Sequence, residues 1–189
     1  MHKWLFLLVA VGCLILGAMA SADENPYKES LPIGLTDEEK TRLDEIGINH
    51  TVTAPPTGQI RNCSEWEPSE GVIIRYPLGI PVSLVAEMSE NEMVTVIVSS
   101  SYYENQATNT FTNGGVNMAN VQFFYGATDS WWTRDYGPWF IFENNTMAIV
   151  DHIYNRPRPN DDEIPEELGA DWGMSVYGMP LEHTGGNHM

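Results

Sequence analysis

Between Gly71 and Val98 the chain reads GVIIRYPLGIPVSLVAEMSENEMVTVIV. Residues 71–77 form a short apolar run rich in β-branched side chains, which predicts a buried strand. Val82, Leu84, Val85 and Met88 then recur at helical spacing, predicting a helix over residues 82–91. Residues 93–98, MVTVIV, predict a second strand. Working outward, residues 99–115 are polar and poor in periodicity and read as irregular, and residues 121–125, VQFFY, read as a third strand. WFIF (139–142) and MAIV (147–150) flank Glu143-Asn-Asn-Thr146, which is hairpin chemistry. The order strand, helix, strand, irregular segment, strand, hairpin predicts an α/β fold. Upstream, residues 21–60 are polar and turn-rich. Thr36 with Glu39 three residues on predicts a capped surface helix running to about Ile48. TVTAPPTG (51–58) reads as an extended linker.

The first 22 residues carry a short basic start, an apolar run from Trp4 to Ala20, and small-x-small cleavage sites around Ala20 and Ala22. This predicts a secretory signal peptide, hence a secreted, periplasmic or cell-surface protein with no stable membrane insertion after cleavage. An uncleaved anchor is the alternative, on a run only marginally long enough to span a bilayer. Beyond the leader, 8 basic residues face 26 acidic ones, a formal charge of −18. That balance excludes nucleic acid as a partner and favours cationic substrates. Cys63 is the one cysteine after the leader, so an intramolecular disulfide is excluded, as is zinc or iron–sulfur spacing.

WWTRDYGPW (131–139) sets three tryptophans around an Arg-Asp pair and a Gly-Pro turn. A carboxylate walled by indole rings suits a flat cation. Guanidinium donates a bidentate pair of hydrogen bonds to a carboxylate and stacks on an indole face. Asp135 is the candidate carboxylate and Trp132 the candidate wall. A local Arg134–Asp135 ion pair in a packed turn is the alternative.

Three separated stretches, SEWEPSEGVIIRYPLGIP (64–81), WWTRDYGPWFIF (131–142) and HTGGNHM (183–189), resemble the family of bacterial peptidylarginine and agmatine deiminases. The resemblance implies a five-bladed α/β propeller of ββαβ units, of which this chain would form roughly the first half. Residues 1–22 would be leader, 23–60 an extension and linker, and 61–189 the N-terminal part of the catalytic domain. It also implies a chemistry. A cysteine thiolate attacks the guanidinium carbon, two carboxylates hold the nitrogens, a histidine moves protons, and a thiouronium intermediate is hydrolysed without a metal or other cofactor. By resemblance Asp135 matches the first carboxylate and Trp132 the aromatic wall. His188 is the acid/base candidate beside the Gly-Gly-Asn turn, with His183 as an alternative structural histidine. The motif is expected to continue past Met189, with the second carboxylate and the nucleophilic cysteine downstream, and Cys63 reads as a lone half-buried thiol.

YNRPRPNDDEIPEE, from Tyr154, bears on the substrate. Arg156 and Arg158 would repel agmatine, a dication, and would welcome the carboxylate of an arginine peptide. Pairing with Asp161, Asp162 or Glu163 in a surface loop is the alternative. The expected function is therefore a secreted deiminase of C-terminal peptidyl-arginine, giving citrulline and ammonia. An agmatine deiminase, and a remnant that binds guanidinium without converting it, are the competing readings.

Overall fold

The computed structural model describes residues 31–64 and 66–187; the leader and His188 lie outside them. Strand β2 (Gly71–Arg75) leads through helix α1 (Val82–Met88) to β3 (Met93–Val98), as the opening stretch predicts. Helix α2 (Ser101–Asn113) follows, then β4 (Val121–Tyr125). The three strands form one parallel sheet in the order β2-β3-β4. β3 is buried on both faces, and its period-two alternation divides the interior. Val94, Val96 and Val98 pack with Val85, Ala107 and Phe111, whereas Ile97 joins Phe124, Tyr136, Tyr154, Ile164 and Leu168.

Residues 99–115, expected to be irregular, are helical over most of their length. Thr and Asn are weak helix formers, which hides the helix from propensity. Ala107 and Phe111, one turn apart and fully buried, are what hold it on the sheet.

The second sheet has the order β1-β5-β6-β7. β1 (Ile60–Asn62) pairs antiparallel with β5 (Trp139–Glu143), which turns back into β6 (Thr146–Tyr154). Asn144 and Asn145 take the hairpin with φ of 50° and 70°, the left-handed pair that a tight two-residue turn requires. Helix α4 (Pro159–Trp172) then carries the chain over to β7 (Val176–His183), parallel to β6. β5-β6-α4-β7 is thus one complete ββαβ unit. One sequence expectation changes here. The segment after Arg158 is a helix, opened by a proline at its first turn, and not a surface loop. β7 ends at His183, and the Gly-Gly-Asn stretch that follows is a 3-10 turn over Gly185–Asn187.

The N-terminal helix is also shorter than expected. The Thr36–Glu39 capping box does form: the Glu39 amide donates to Thr36 Oγ1 at 3.1 Å and the Thr36 amide to Glu39 Oε2 at 2.7 Å. It opens two 3-10 turns, Glu39–Thr41 and Leu43–Glu45, rather than an α-helix. Leu43 and Ile48 stay exposed, so no apolar stripe docks a longer helix, and Gly47 at φ 66° breaks the run. Residues 51–58 lie outside any helix or strand, and the Thr53 amide donates to the Gly178 carbonyl. Among the described residues no helix is long and apolar enough to cross a membrane.

Candidate active site

The tryptophan motif occupies the loop between β4 and β5. Its middle is a single helical turn, α3 (Thr133–Tyr136), in which the Asp135 amide donates to the Trp132 carbonyl at 2.8 Å. The loop is fixed from behind through Ser130. Arg75 Nε and the Tyr136 hydroxyl both donate to its carbonyl, at 3.0 and 3.1 Å. Its amide and hydroxyl donate to Asp161, at 3.1 and 2.6 Å, as does the Asp129 amide. Asp161 sits in the first turn of α4, where the helix dipole favours a carboxylate. Burial nevertheless pushes its carboxyl up to about 7, against the pull of the Ser130 hydrogen bonds.

Asp135 itself is half-buried beneath the two-glycine turn. A Cβ at Gly186 would lie 2.6 Å from Asp135 Oδ1, and one at Gly185 would meet the Arg134 carbonyl at 2.5 Å and Trp139 Nε1 at 3.0 Å. At Gly185 the main-chain carbonyl leaves room for glycine alone, whereas at Gly186 the close neighbour is the end of the Asp135 side chain. The structure therefore brings the tryptophan motif and the HTGGN stretch, some fifty residues apart in sequence, into direct contact. Trp139 stacks on His152 at 4.4 Å between ring centres and meets the edge of His183 at 6.0 Å. His152 Nε2 lies 3.2 Å from the Asp135 carbonyl, in position to donate to it as the Nε2–H tautomer. His183 thus belongs to the wall of the site.

Trp132 packs on the cluster around Ile97 and Tyr154 and donates its indole N–H to the Leu31 carbonyl at 2.9 Å. The Tyr154 hydroxyl lies within reach of the charges of Arg158, Asp161, Asp135 and Arg156, and burial foremost pushes it up to about 12. Of the candidates, Arg158 reaches the Tyr154 hydroxyl from Nη1 at 3.3 Å, and Trp132 packs against the same cluster. Arg156 uses Nε and Nη2 on the Ile33 carbonyl, at 3.1 and 2.9 Å, and Nη1 on Asn155.

Arg158 departs from its sequence reading. It is 1% exposed and donates from Nε to Glu39 Oε1 at 2.7 Å, from Nη1 to Tyr154 and from Nη2 to the Pro32 carbonyl. It is held as a buried ion pair with Glu39 instead of lying open to a substrate carboxylate. Neither arginine pairs with Asp161, Asp162 or Glu163, which corrects the surface-loop alternative as well. Asp162 instead accepts the Tyr154 amide at 2.6 Å.

His152, Trp139, Tyr154 and Glu39 were missed by sequence reasoning. The one available signal was Asp151-His152, a polar pair set inside the apolar run of β6. An open cleft of about 760 Å3 lies beside the site, lined by Cys63, Glu67, Arg134, Trp139, Phe140 and Gly185 among others. Burial raises the Cys63 thiol, with the Arg61 guanidinium pulling the other way. Among the described residues no group of His, Cys, Asp or Glu is gathered so as to hold a metal ion.

The profile of the Porphyromonas-type peptidyl-arginine deiminase family matches residues 61–187. Among solved structures, C. jejuni agmatine deiminase is 19% identical with a TM-score of 0.57, over 71% of this chain and 44% of its own. Agmatine deiminase of Enterococcus faecalis is 20% identical with a TM-score of 0.53, over 67% and 40%. A Porphyromonas gingivalis protein assigned as an arginine deiminase is 15% identical with a TM-score of 0.53, over 64% and 40%. The chain spans less than half the length of each. Its fold is accordingly part of an α/β propeller built of ββαβ units.

Proposed function

Because this chain belongs to the Porphyromonas-type peptidyl-arginine deiminase family, we propose that it supplies the guanidinium-holding half of a site that hydrolyses peptidyl-arginine to citrulline and ammonia. The observation that carries this reading is the contact between Asp135 and Gly186. It sets one carboxylate at the meeting point of two sequence motifs, on a turn whose main chain is tied through Ser130 and through the His152 contact to the Asp135 carbonyl. A preorganised carboxylate grips the cation and aims its central carbon. The excess of acidic residues draws that cation in.

Water adds across the guanidine carbon and ammonia leaves, so the substrate exchanges one nitrogen for oxygen. Cys63 is a poor nucleophile for this step, because its thiol is raised by burial when attack needs a thiolate. We place the nucleophile in the remainder of the catalytic domain. His188 stays the proposed proton carrier beside the turn. Trp132 lines the guanidinium, and Arg156, half-buried with its guanidinium turned to a peptide carbonyl, favours an arginine within a polypeptide. Export through residues 1–22 suits a peptide substrate. Agmatine is the second reading, favoured by the resemblance in fold to agmatine deiminases.

The test is Asp135→Asn, assayed for citrulline release by the full-length protein and for binding of an arginine peptide by calorimetry. Loss of one partner of a desolvated charge pair costs about 2–5 kcal/mol, so binding should weaken at least thirtyfold while the thermal midpoint holds. Undiminished affinity in a folded variant would reduce Asp135 to a turn residue.

A further inference from the structure

Trp132, Arg156 and Arg158 all spend hydrogen bonds on this chain's own N-terminal segment. Trp132 Nε1 donates to the Leu31 carbonyl at 2.9 Å, Arg158 Nη2 to Pro32 at 2.7 Å, and Arg156 Nε and Nη2 to Ile33 at 3.1 and 2.9 Å. Arg158 Nη2 also reaches the Gly34 carbonyl at 3.4 Å. Four successive main-chain carbonyls are thus read by side-chain donors, which is how a groove reads a peptide backbone.

The segment gives little back in apolar packing. Pro32, Ile33 and Gly34 are exposed, Ile33 at 55%. Its hold is polar, and polar bonds to carbonyls can be exchanged for bonds to another peptide's carbonyls at little net cost. Glu39 behaves differently. It is 1% exposed and grips Arg158 side-on, Nε to Oε1 at 2.7 Å and Nη2 to Oε2 at 3.4 Å. That pairing sets the plane of the Arg158 fork and leaves Nη2 aimed at the carbonyls of residues 32 and 34.

We propose that Trp132, Arg156 and Arg158 Nη2 form a subsite for the main chain of a polypeptide substrate, and that residues 31–34 occupy it as a built-in competitor. The inference rests on the peptide reading of the site and goes further, since it names the substrate's backbone as the recognised group. Substrate enters by displacing residues 31–34, while Thr36 and Glu39 stay in place as the hinge.

Three measurements on the full-length protein test it. First, removing the residues before Leu35 should tighten binding of an acetylated arginine peptide about tenfold, the penalty a pre-filled site imposes on its ligand. Agmatine, which has no carbonyls, should bind as before, and a synthetic peptide of residues 29–35 should restore the weaker binding. Unchanged peptide affinity in a folded truncation would overturn the proposal. Second, should truncation unfold the protein, limited proteolysis of the intact chain decides. Saturating peptide should speed cleavage within residues 31–34 several-fold, and unchanged cleavage would overturn it. Third, the same peptide with norleucine in place of arginine separates this proposal from the guanidinium reading. Norleucine peptide at high concentration should still expose residues 31–34, even where Asp135→Asn leaves arginine binding untouched. Exposure that needs the arginine side chain would show that the backbone subsite does not exist.

Discussion

The two sheets solve the problem of burial in opposite ways. Beneath β2-β3-β4 the interior is hydrocarbon: Val85, Val94, Val96, Val98, Ala107, Phe111 and Val116 meet there without a charge among them. Around β6 and α4 the interior is crowded with charge, since Asp151, His152, Arg158, Asp161 and Asp162 are all buried, with Glu39 folded in from the N-terminal segment. An aliphatic core gains from every contact and tolerates small rearrangements. Buried charge is costly unless paired, and in return it fixes direction. Asp161 ties the loop that carries Asp135, Asp162 ties the end of β6, and Glu39 aligns Arg158. The parallel sheet is the scaffold, and the ββαβ unit is where positions are held to the accuracy a site needs.

The comparison breaks first at Phe111. Truncation to Ala should cost about 3–5 kcal/mol of stability by opening a cavity, seen as a lowered urea midpoint. The folded fraction should bind an arginine peptide as the parent does, because the phenyl ring lies in the scaffold core. A matching loss of affinity would mean that the two halves are not separable.

Arg158 gives the next effect. Arg158→Ala strands Glu39 as an unpaired buried carboxylate, for about 3 kcal/mol, the lower end of the range for broken buried pairs, since Glu39 keeps its Thr36 bonds. Replacing both partners, Arg158→Met with Glu39→Leu, should recover most of that stability, because no charge is left without a partner. Peptide binding should stay impaired in the double variant. Restored stability with restored binding would deny Arg158 any part in reading the substrate.

This division also explains what the sequence shows. Strands β2, β3 and β4 and helix α1 are legible because burial there is aliphatic, and periodicity in apolar residues is the signal that sequence carries best. The hairpin is legible because Asn144 and Asn145 advertise left-handed backbone. Asp135 is legible because a carboxylate among tryptophans is anomalous. Helix α4 is not, because NDDEIP presents three acids and a proline, and only the fold shows that two of them, Asp161 and Asp162, turn inward to accept main-chain amides. Nor is the Glu39–Arg158 pair, which joins positions over a hundred residues apart. His152 is hidden for the same reason: its role depends on Trp139 and Asp135, which reach it from neighbouring elements.

The smallest effect per step is in pH, and it comes from Asp151. His50 Nδ1 lies 3.2 Å from its Oδ2, with both side chains almost wholly buried. Burial, with Asp162 and Glu166 nearby, pushes the Asp151 carboxyl up to about 8. An unfolded aspartate titrates near 3.9. The folded state therefore holds this proton over a pH range in which the unfolded state has lost it. The resulting stability is full below about pH 4 and is lost as pH rises to about 8, opposite to the behaviour of a salt-bridged surface acid. Asp161, raised to about 7, acts in the same sense. One proton limits the slope to about 1.4 kcal/mol per pH unit. Asp151→Asn keeps the shape of the protonated carboxyl and removes its titration. Urea unfolding of the parent and the variant should coincide near pH 4, and the variant should become progressively the more stable as pH rises towards 8. The aliphatic core packed around Val96 and Phe111 offers no such lever, so a core variant such as Phe111→Ala should shift stability by the same amount at both ends. If the Asp151→Asn and parent curves run parallel from pH 4 to 8, Asp151 is ionised in the folded protein and its pairing with His50 is a salt bridge.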